Sequence, residues 1–452
     1  MAVVSDSASA SWTAWYGGCG RLIVALLMLI PVAASAQVRI EPHDAIGIQP
    51  EFNKDSGALR LQCQFKPVRP ALDFTFRFHT GYRIEVPLSQ FQGARHTGNI
   101  VLRVTPDRGV SEHLSDSFAL PDTPEAVEAQ ISGDFVVGEG NYRVDVVVED
   151  DLHRVCRSQW RIRAKRGGAE RNISLAIPPL TVGVAPSVRI AQLTGHSELG
   201  RLTILMHAAP LLPEAAKVRA SDVSMLVGSL SSLLEQLPAR SVTLVVFNLE
   251  QQKVLFRQVG FTGAGVATVG NAINELQLGL VNYSALQEPD GAVGLLRNLV
   301  QEEINNPTPR DALVFLGPHT RVHNPIPADM VRGFESGPRV FYMEYLPQLS
   351  LLSRDYDPAH GVTNGNLTCN PYSPEVCLDP DEPDMLSPDS LGDSIERLVN
   401  RLKGEVLVVR QPADLARAIK HIATRLTREG PKRQLSSNRI AGDPVSAPTT
   451  SK

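Results

Sequence analysis

The chain has 452 residues, 43% hydrophobic and 20% charged, with a formal net charge of −4. That length allows about two to four domains, and the composition is that of soluble globular protein able to bury substantial cores. No basic face stands out in the sequence, so nucleic acid is not an expected partner.

At the amino terminus Arg21 precedes the apolar run Leu22–Ala34, and Ala34-Ser35-Ala36 makes a small-residue cleavage site before Gln37. Residues 1–36 therefore read as a signal peptide. The run is shorter than the ~20 residues of a comfortable bilayer span, and a retained signal anchor is the alternative. No later segment is apolar enough to cross a membrane, so no stable span is expected after cleavage. The expected location is secreted, or periplasmic at the cell envelope.

Cysteine usage agrees with export. Cleavage removes Cys19 and leaves Cys63, Cys156, Cys369 and Cys377. An even set in an exported chain suggests disulfides. Of the three connectivities, Cys63–Cys156 with Cys369–Cys377 is preferred, the first tying two strands of one domain and the second closing a short loop. Close Cys-x-x-Cys pairs of the kind zinc requires are absent.

Residues 37–165 show short alternating strands, among them Leu59–Phe65, Asp73–Phe78, Ile100–Val104 and Arg157–Ile162. The segment FVV, Gly138-Glu139-Gly140-Asn141, then Tyr142–Val148 has the signature of a hairpin. Strands without helical periodicity predict an antiparallel β-sandwich. Gly138–Val148 also resembles the E–F corner and strand F of immunoglobulin- and fibronectin-like domains, with Tyr142 at the place of their corner tyrosine. Residues 166–200, punctuated by GG, PP and AP, read as a linker containing a strand near Leu180–Val184 or Ser187–Ala191.

From residue 201 to 428 apolar strands alternate with helical stripes, which predicts a doubly wound, mainly parallel α/β sheet. The strands are Arg201–His207, Ser241–Asn248, Lys253–Val259, Asp311–Leu316, Arg339–Tyr345 and Glu405–Val409. Leu226, Leu230, Leu233, Leu234 and Leu237 repeat at helical spacing, as do Leu295, Leu296, Leu299 and Val300. Ile395, Leu398, Val399 and Leu402 form a third stripe, and a last helix starts near Pro412. Residues 346–386 form a loop far longer than usual α/β connections. It carries Cys369 and Cys377 and leaves the carboxyl end of a strand, where open sheets bind ligands. A recognition loop is the preferred reading. The tail, 429–452, has the composition of disordered chain.

This order of elements resembles a von Willebrand factor A domain of the type found in exported bacterial proteins. It comprises an apolar strand with a special end, a helix, a strand and an edge strand, the Gly-rich turn Gly260–Gly270, further helices, then DALVFLGPH. In that family Asp-x-Ser-x-Ser, a Thr and an Asp bind a divalent cation at the carboxyl edge, through the hard oxygens that Mg²⁺ requires. The corresponding positions here are His207, Ala209, Leu211, Thr268 and Pro318. The resemblance thus implies the fold with a degenerate adhesion site, and no cofactor.

Other chemistry is thinly supported. His207, His319 and His323 are expected near one rim and could form a nitrogen site for zinc or nickel; solvated or hydrogen-bonded loop histidines are the plainer reading. Gly195–Gly200 departs from Gly-x-Ser-x-Gly by one residue. The turn Gly260–Gly270 lacks the Lys-Ser/Thr of a P-loop. The acidic run Asp379–Asp384 lacks EF-hand spacing. The expectation is a non-enzymatic exported protein that binds protein partners through the rim. A metalloprotein or hydrolase built on the histidines is the alternative.

Overall fold

A computed structural model describes residues 37–428, apart from 41–51, 53–58, 92–95, 121–127, 185–198, 212–214, 216, 238, 280–286, 289, 307–309, 321, 323, 332–333, 335–336, 347–367, 371–372 and 379–392. Residues 1–36, expected as a signal peptide, residues 429–452 and His323 lie outside the described residues. No helix among them is long and apolar enough to cross a membrane.

The amino-terminal half is two antiparallel sheets. One has the order β1-β5-β4-β7-β8, from β1 (Val38–Arg39), β4 (Thr97–Pro106), β5 (Glu112–Ala119), β7 (Gly140–Asp150) and β8 (Val155–Ala164). The other is β2-β3-β6-β9, from β2 (Gln64–Leu72), β3 (Phe78–Pro87), β6 (Glu128–Val137) and β9 (Val182–Val184). Period-two alternation turns Ile100, Leu102, Val104, Val144, Val146 and Val148 into a shared core with Ile84 and Phe135 of the second sheet. A disulfide joins Cys63, just before β2, to Cys156 on β8 across the two sheets, with Cα atoms 6.3 Å apart.

Four local expectations change. Of the strand expected over Leu59–Phe65 only Gln64 and Phe65 lie in a strand, since β2 begins at Gln64, while Arg60 makes an isolated bridge to Val155. The predicted hairpin around Gly138 is a crossing between sheets: β6 pairs with β3 and β9, and β7 with β4 and β8. The chain is held at that corner by Tyr142, whose buried hydroxyl donates to the carbonyl of Gly138 at 2.9 Å. The Asp73–Phe78 alternation is a turn. Asp73 Oδ1 accepts from the amides of Thr75 and Arg77 and from the Thr75 hydroxyl, and Phe76 takes φ 56°. This side chain offers the backbone a local partner in place of a ladder. The sandwich also extends past residue 165, because β9 pairs with β6 inside the segment expected as linker.

The carboxyl-terminal half is a six-stranded sheet of order β12-β11-β10-β13-β14-β17. Its strands are β10 (Leu199–His207), β11 (Ala239–Asn248), β12 (Lys253–Val259), β13 (Ala312–Pro318), β14 (Arg339–Tyr345) and β17 (Glu405–Val409). All pairings are parallel except β11 with the edge strand β12. The helices are α1 (Ala220–Gln236), α2 (Val266–Asn274), α3 (Gly291–Ile304), α4 (Ser394–Arg401) and α5 (Pro412–Arg428). Buried residues of α1, α2 and α5 pack with one face of the sheet, and those of α3 and α4 with the other. A short hairpin, β15 (Thr368–Asn370) with β16 (Ser373–Leu378), places Cys369 directly opposite Cys377.

The two halves share one core. A single cluster of buried side chains runs from Phe76 and Tyr82 of the sandwich to Leu230 and Met343 of the α/β half. Helix α1 is buried on more than one side because the Asp73–Arg77 turn lies on it. Arg77 pairs with Glu235 at 3.2 Å, Ser232 donates to the Phe74 carbonyl at 2.7 Å, and the ring of Phe74 meets Tyr345 edge-on at 5.8 Å. The turn approaches so closely that a Cβ at Gly228 would lie 3.0 Å from Thr75 Cγ2.

Candidate functional site

In an open parallel sheet, ligands bind at the carboxyl ends of the strands, where the strand order reverses. Here that point lies between β10 and β13, which end in His207 and Pro318. The structure fills it. His207 is buried, its ring lies 5.4 Å from that of Phe247, and its Nε2 accepts the Leu249 amide at 3.3 Å. Its Nδ1 is a buried nitrogen without a hydrogen-bond partner. Burial pulls the imidazole pKa down to about 4, outweighing a smaller opposing effect of the Pro318 carbonyl, so the ring is neutral. Gly317 is tight against it: a Cβ there would sit 2.7 Å from His207 Cβ. Ala208 and Ala209 are buried beside it, and the Asn248 side chain donates to the Ala208 carbonyl at 2.7 Å. Thr268 is exposed on α2. His207, Ala209, Leu211 and Pro318 thus put no hard oxygen side chain at this point.

The polar chemistry of the rim lies one strand over. His319 follows β13, Glu344 is the penultimate residue of β14, and Asp393 caps the amino terminus of α4. Their nearest donor atoms all fall within 4.8 Å of one another. His319 Nδ1 is 2.6 Å from Glu344 Oε1 and 3.7 Å from Asp393 Oδ2. A carboxylate only accepts, so Nδ1 carries the proton. That hydrogen bond, reinforced by the charges of Asp393 and Glu344, raises the His319 pKa against the effect of burial. Asp393 is fully buried, which raises its own pKa.

Asp393 is nevertheless well supplied with donors. Its Oδ2 accepts from the Thr320 amide at 2.8 Å and the Tyr342 hydroxyl at 3.2 Å, and its Oδ1 from the Glu396 amide at 2.7 Å. Ser394 straps the same loop by donating to the Val322 carbonyl at 2.7 Å. One imidazole and two carboxylates are a ligand set suited to zinc. However, the donors on Asp393 occupy most of its lone pairs, and its present work is to cap α4 and hold the loop after β13.

The structure therefore divides the predicted histidines. His207 belongs to the core and His319 to the carboxylate cluster. Glu344 and Asp393 were missed in the sequence, although both left a signal: Glu344 is a lone charge in the apolar run VFYMEY, and Asp393-Ser394-Ile395-Glu396 has the spacing of a capping box.

A concavity of about 600 Å³ lies between the amino-terminal part of β11, the edge strand β12 and the carboxyl end of α3, lined by Thr243, Arg257, Gln301, Asn305 and Arg310 among others. Beneath it Thr203 donates to Glu303 at 2.7 Å, and Arg310 pairs with Glu303 at 3.3 Å, all three nearly buried. It is at the end of the sheet opposite the rim.

No protein-family model matches the chain, and no curated protein does. Among solved structures, a Paenibacillus sp. cycloisomaltooligosaccharide glucanotransferase aligns at 8% identity and a TM-score of 0.17, over 65% of this chain and 46% of its own. A Bacteroides uniformis β-glucuronidase aligns at 9% identity and a TM-score of 0.18, over 65% of this chain and 38% of its own. This chain thus spans less than half of each, and similarity at that level carries no argument about fold or activity.

Proposed function

We propose that this is an exported, non-enzymatic binding and scaffold protein, in which a von Willebrand factor A-like domain contacts a protein partner through the carboxyl edge of its sheet without a metal ion. The observation that carries this reading is the apolar filling of the switch point. His207, neutral and buried, and Ala209, Leu211 and Pro318 are the positions to which the resemblance assigns oxygen ligands, and none of them carries an oxygen side chain. The sheet order, with its single antiparallel edge strand beside β11, supports the domain assignment. The inter-sheet disulfide and the Tyr142 corner support an immunoglobulin-like sandwich, and the disulfide supports export. The continuous core supports a scaffold role, because it fixes the sandwich against the sheet.

Site-specific photo-crosslinking tests this. A crosslinker at Leu211 should trap a discrete partner in chelator and in Mg²⁺ alike, whereas one at Arg240, near the other end of the sheet, should not. Trapping that disappears in chelator, or that is equal at both positions, overturns the reading.

A second reading, a metalloprotein of the rim, is favoured by one observation: the convergence of His319, Glu344 and Asp393. Stoichiometric zinc in the purified mature protein, lost in His319→Ala, would establish it in place of the metal-free contact.

A further inference from the structure

The concavity between β11, β12 and the carboxyl end of α3 has a polar floor that the core does not require. Thr243 lies on the face of β11 that carries Val245 and Phe247 into the core under α3. It is 2% exposed and lines the concavity, and its hydroxyl has no hydrogen-bond partner among the described residues. Thr203 of β10 stands directly beside it in the parallel register, but gives its own hydroxyl to Glu303. A buried hydroxyl without a partner leaves its desolvation uncompensated. Valine would fill the same outline without that cost, as it does two residues along the strand.

We propose that this concavity binds a neutral saccharide, one of whose hydroxyl groups completes the hydrogen bonding of Thr243. The opposite wall supplies the matching chemistry. Asn298, Gln301 and Asn305 line it from the end of α3, and their i, i+3, i+7 spacing puts them on one face of the helix. None of these three side chains is hydrogen-bonded to another of the described residues. A carboxamide presents a donor and an acceptor from one planar group, and a hydroxyl is donor and acceptor at once. Neighbouring hydroxyls on a sugar ring can therefore engage both ends of one amide, and Thr243 meets a further hydroxyl on equal terms.

The charged groups of the site favour a ligand without charge. Arg257 pairs with Glu302, and Arg310 with Glu303 at 3.3 Å, so the cations and anions that line the concavity already satisfy one another. An anionic ligand would have to displace a carboxylate from its guanidinium, and a metal ion a guanidinium from its carboxylate. Among the described lining residues Val259 alone is apolar and none is aromatic. That wall suits neither a lipid nor a stacked nucleobase, and it lacks the side-chain pockets that select a bound peptide. The volume of about 600 Å³ falls within the ~300–1,000 Å³ of small-molecule sites. The proposal goes beyond the function assigned to the rim and does not rest on it, because the site is at the opposite end of the sheet.

The test is binding of the protein from residue 37 onward to an array of neutral and acidic saccharides, with calorimetric titration of maltose, cellobiose and N,N′-diacetylchitobiose. At least one neutral saccharide should bind, with an affinity that holds as salt is raised, because no net charge is paired. Thr243→Val should bind it about tenfold more weakly or worse. The same variant should melt at or above the temperature of the parent, since it removes an unpartnered hydroxyl, whereas a threonine kept for structure would melt lower when replaced. The double variant Gln301→Ala/Asn305→Ala changes only exposed positions and should weaken binding by a similar factor. Gln159→Ala, on the sandwich, should bind as the parent does. Absence of binding to every neutral saccharide, variants at Thr243 or Gln301/Asn305 that bind as tightly as the parent, a Thr243→Val protein that melts several degrees lower, or tighter binding to acidic than to neutral saccharides would each overturn the proposal.

Discussion

His207 and His319 flank the end of β13 and titrate in opposite directions, for reasons visible in their neighbours. His207 is enclosed by Phe247 and Gly317, and burial depresses its pKa from 6.5 to about 4. The unfolded chain then binds a proton that the folded chain refuses. Stability should fall as pH drops from about 6.5 to about 4, by roughly 3 kcal/mol in all. Urea midpoints measured from pH 7 to pH 4.5 should decline less steeply for His207→Leu than for the parent, and parallel declines would contradict the burial. His319 behaves the other way. Its hydrogen bond to Glu344 raises its pKa, so its stabilising contribution is full below about 6.5 and is lost as pH rises through the raised value. An NMR titration should place the His319 pKa above 6.5 and bring it down in Glu344→Gln; an unchanged value in that variant would remove Glu344 as the cause. From the sequence, His207 was legible as the last residue of a buried strand. The partnership of His319 with Glu344 and Asp393 was not. It depends on β13 and β14 lying in parallel register and on where α4 begins, and neither is written in local spacing.

At the level of elements, periodicity was a reliable guide wherever one face had to be buried. The strands of the parallel sheet were recovered from their apolar runs, as were the leucine stripes of α1 and α3, because an element covered by others must be apolar there. Turn chemistry misled in two places. Asp73-Phe74-Thr75-Phe76 alternates like a strand, yet the Asp73 carboxylate closes it into the turn that docks on α1. The Gly138–Asn141 segment has hairpin residues, yet β6 and β7 belong to different sheets. The disulfide is the strongest single tie between the sheets, closing a loop of 93 residues in sequence separation. Cys156→Ser should lower stability by about 2–5 kcal/mol, read as a shift of the urea midpoint. A change below about 0.5 kcal/mol would mean that the sheets are held by their core alone.

The molecule as a whole is two folds with one core, which the sequence did not foretell. Residues 166–200 read as a linker because of their glycines and prolines, but the join is made elsewhere, by Phe74, Arg77 and Gly228 across a surface with no sequence periodicity of its own. The halves should therefore unfold together. Calorimetry of the protein from residue 37 onward should give one transition whose van't Hoff and calorimetric enthalpies agree, and two resolved transitions would contradict the shared core. The central claim is that the carboxyl edge of the sheet acts without a metal. A ligand present at a thousand times its dissociation constant stabilises by about 4 kcal/mol, enough to raise a melting temperature by several degrees. Melting curves of the protein from residue 37 onward, in chelator and in millimolar Mg²⁺, Mn²⁺ or Zn²⁺, test the claim most directly. The account predicts melting temperatures within about 1 °C of one another; a rise of several degrees that saturates at one equivalent and is lost in His319→Ala would contradict it.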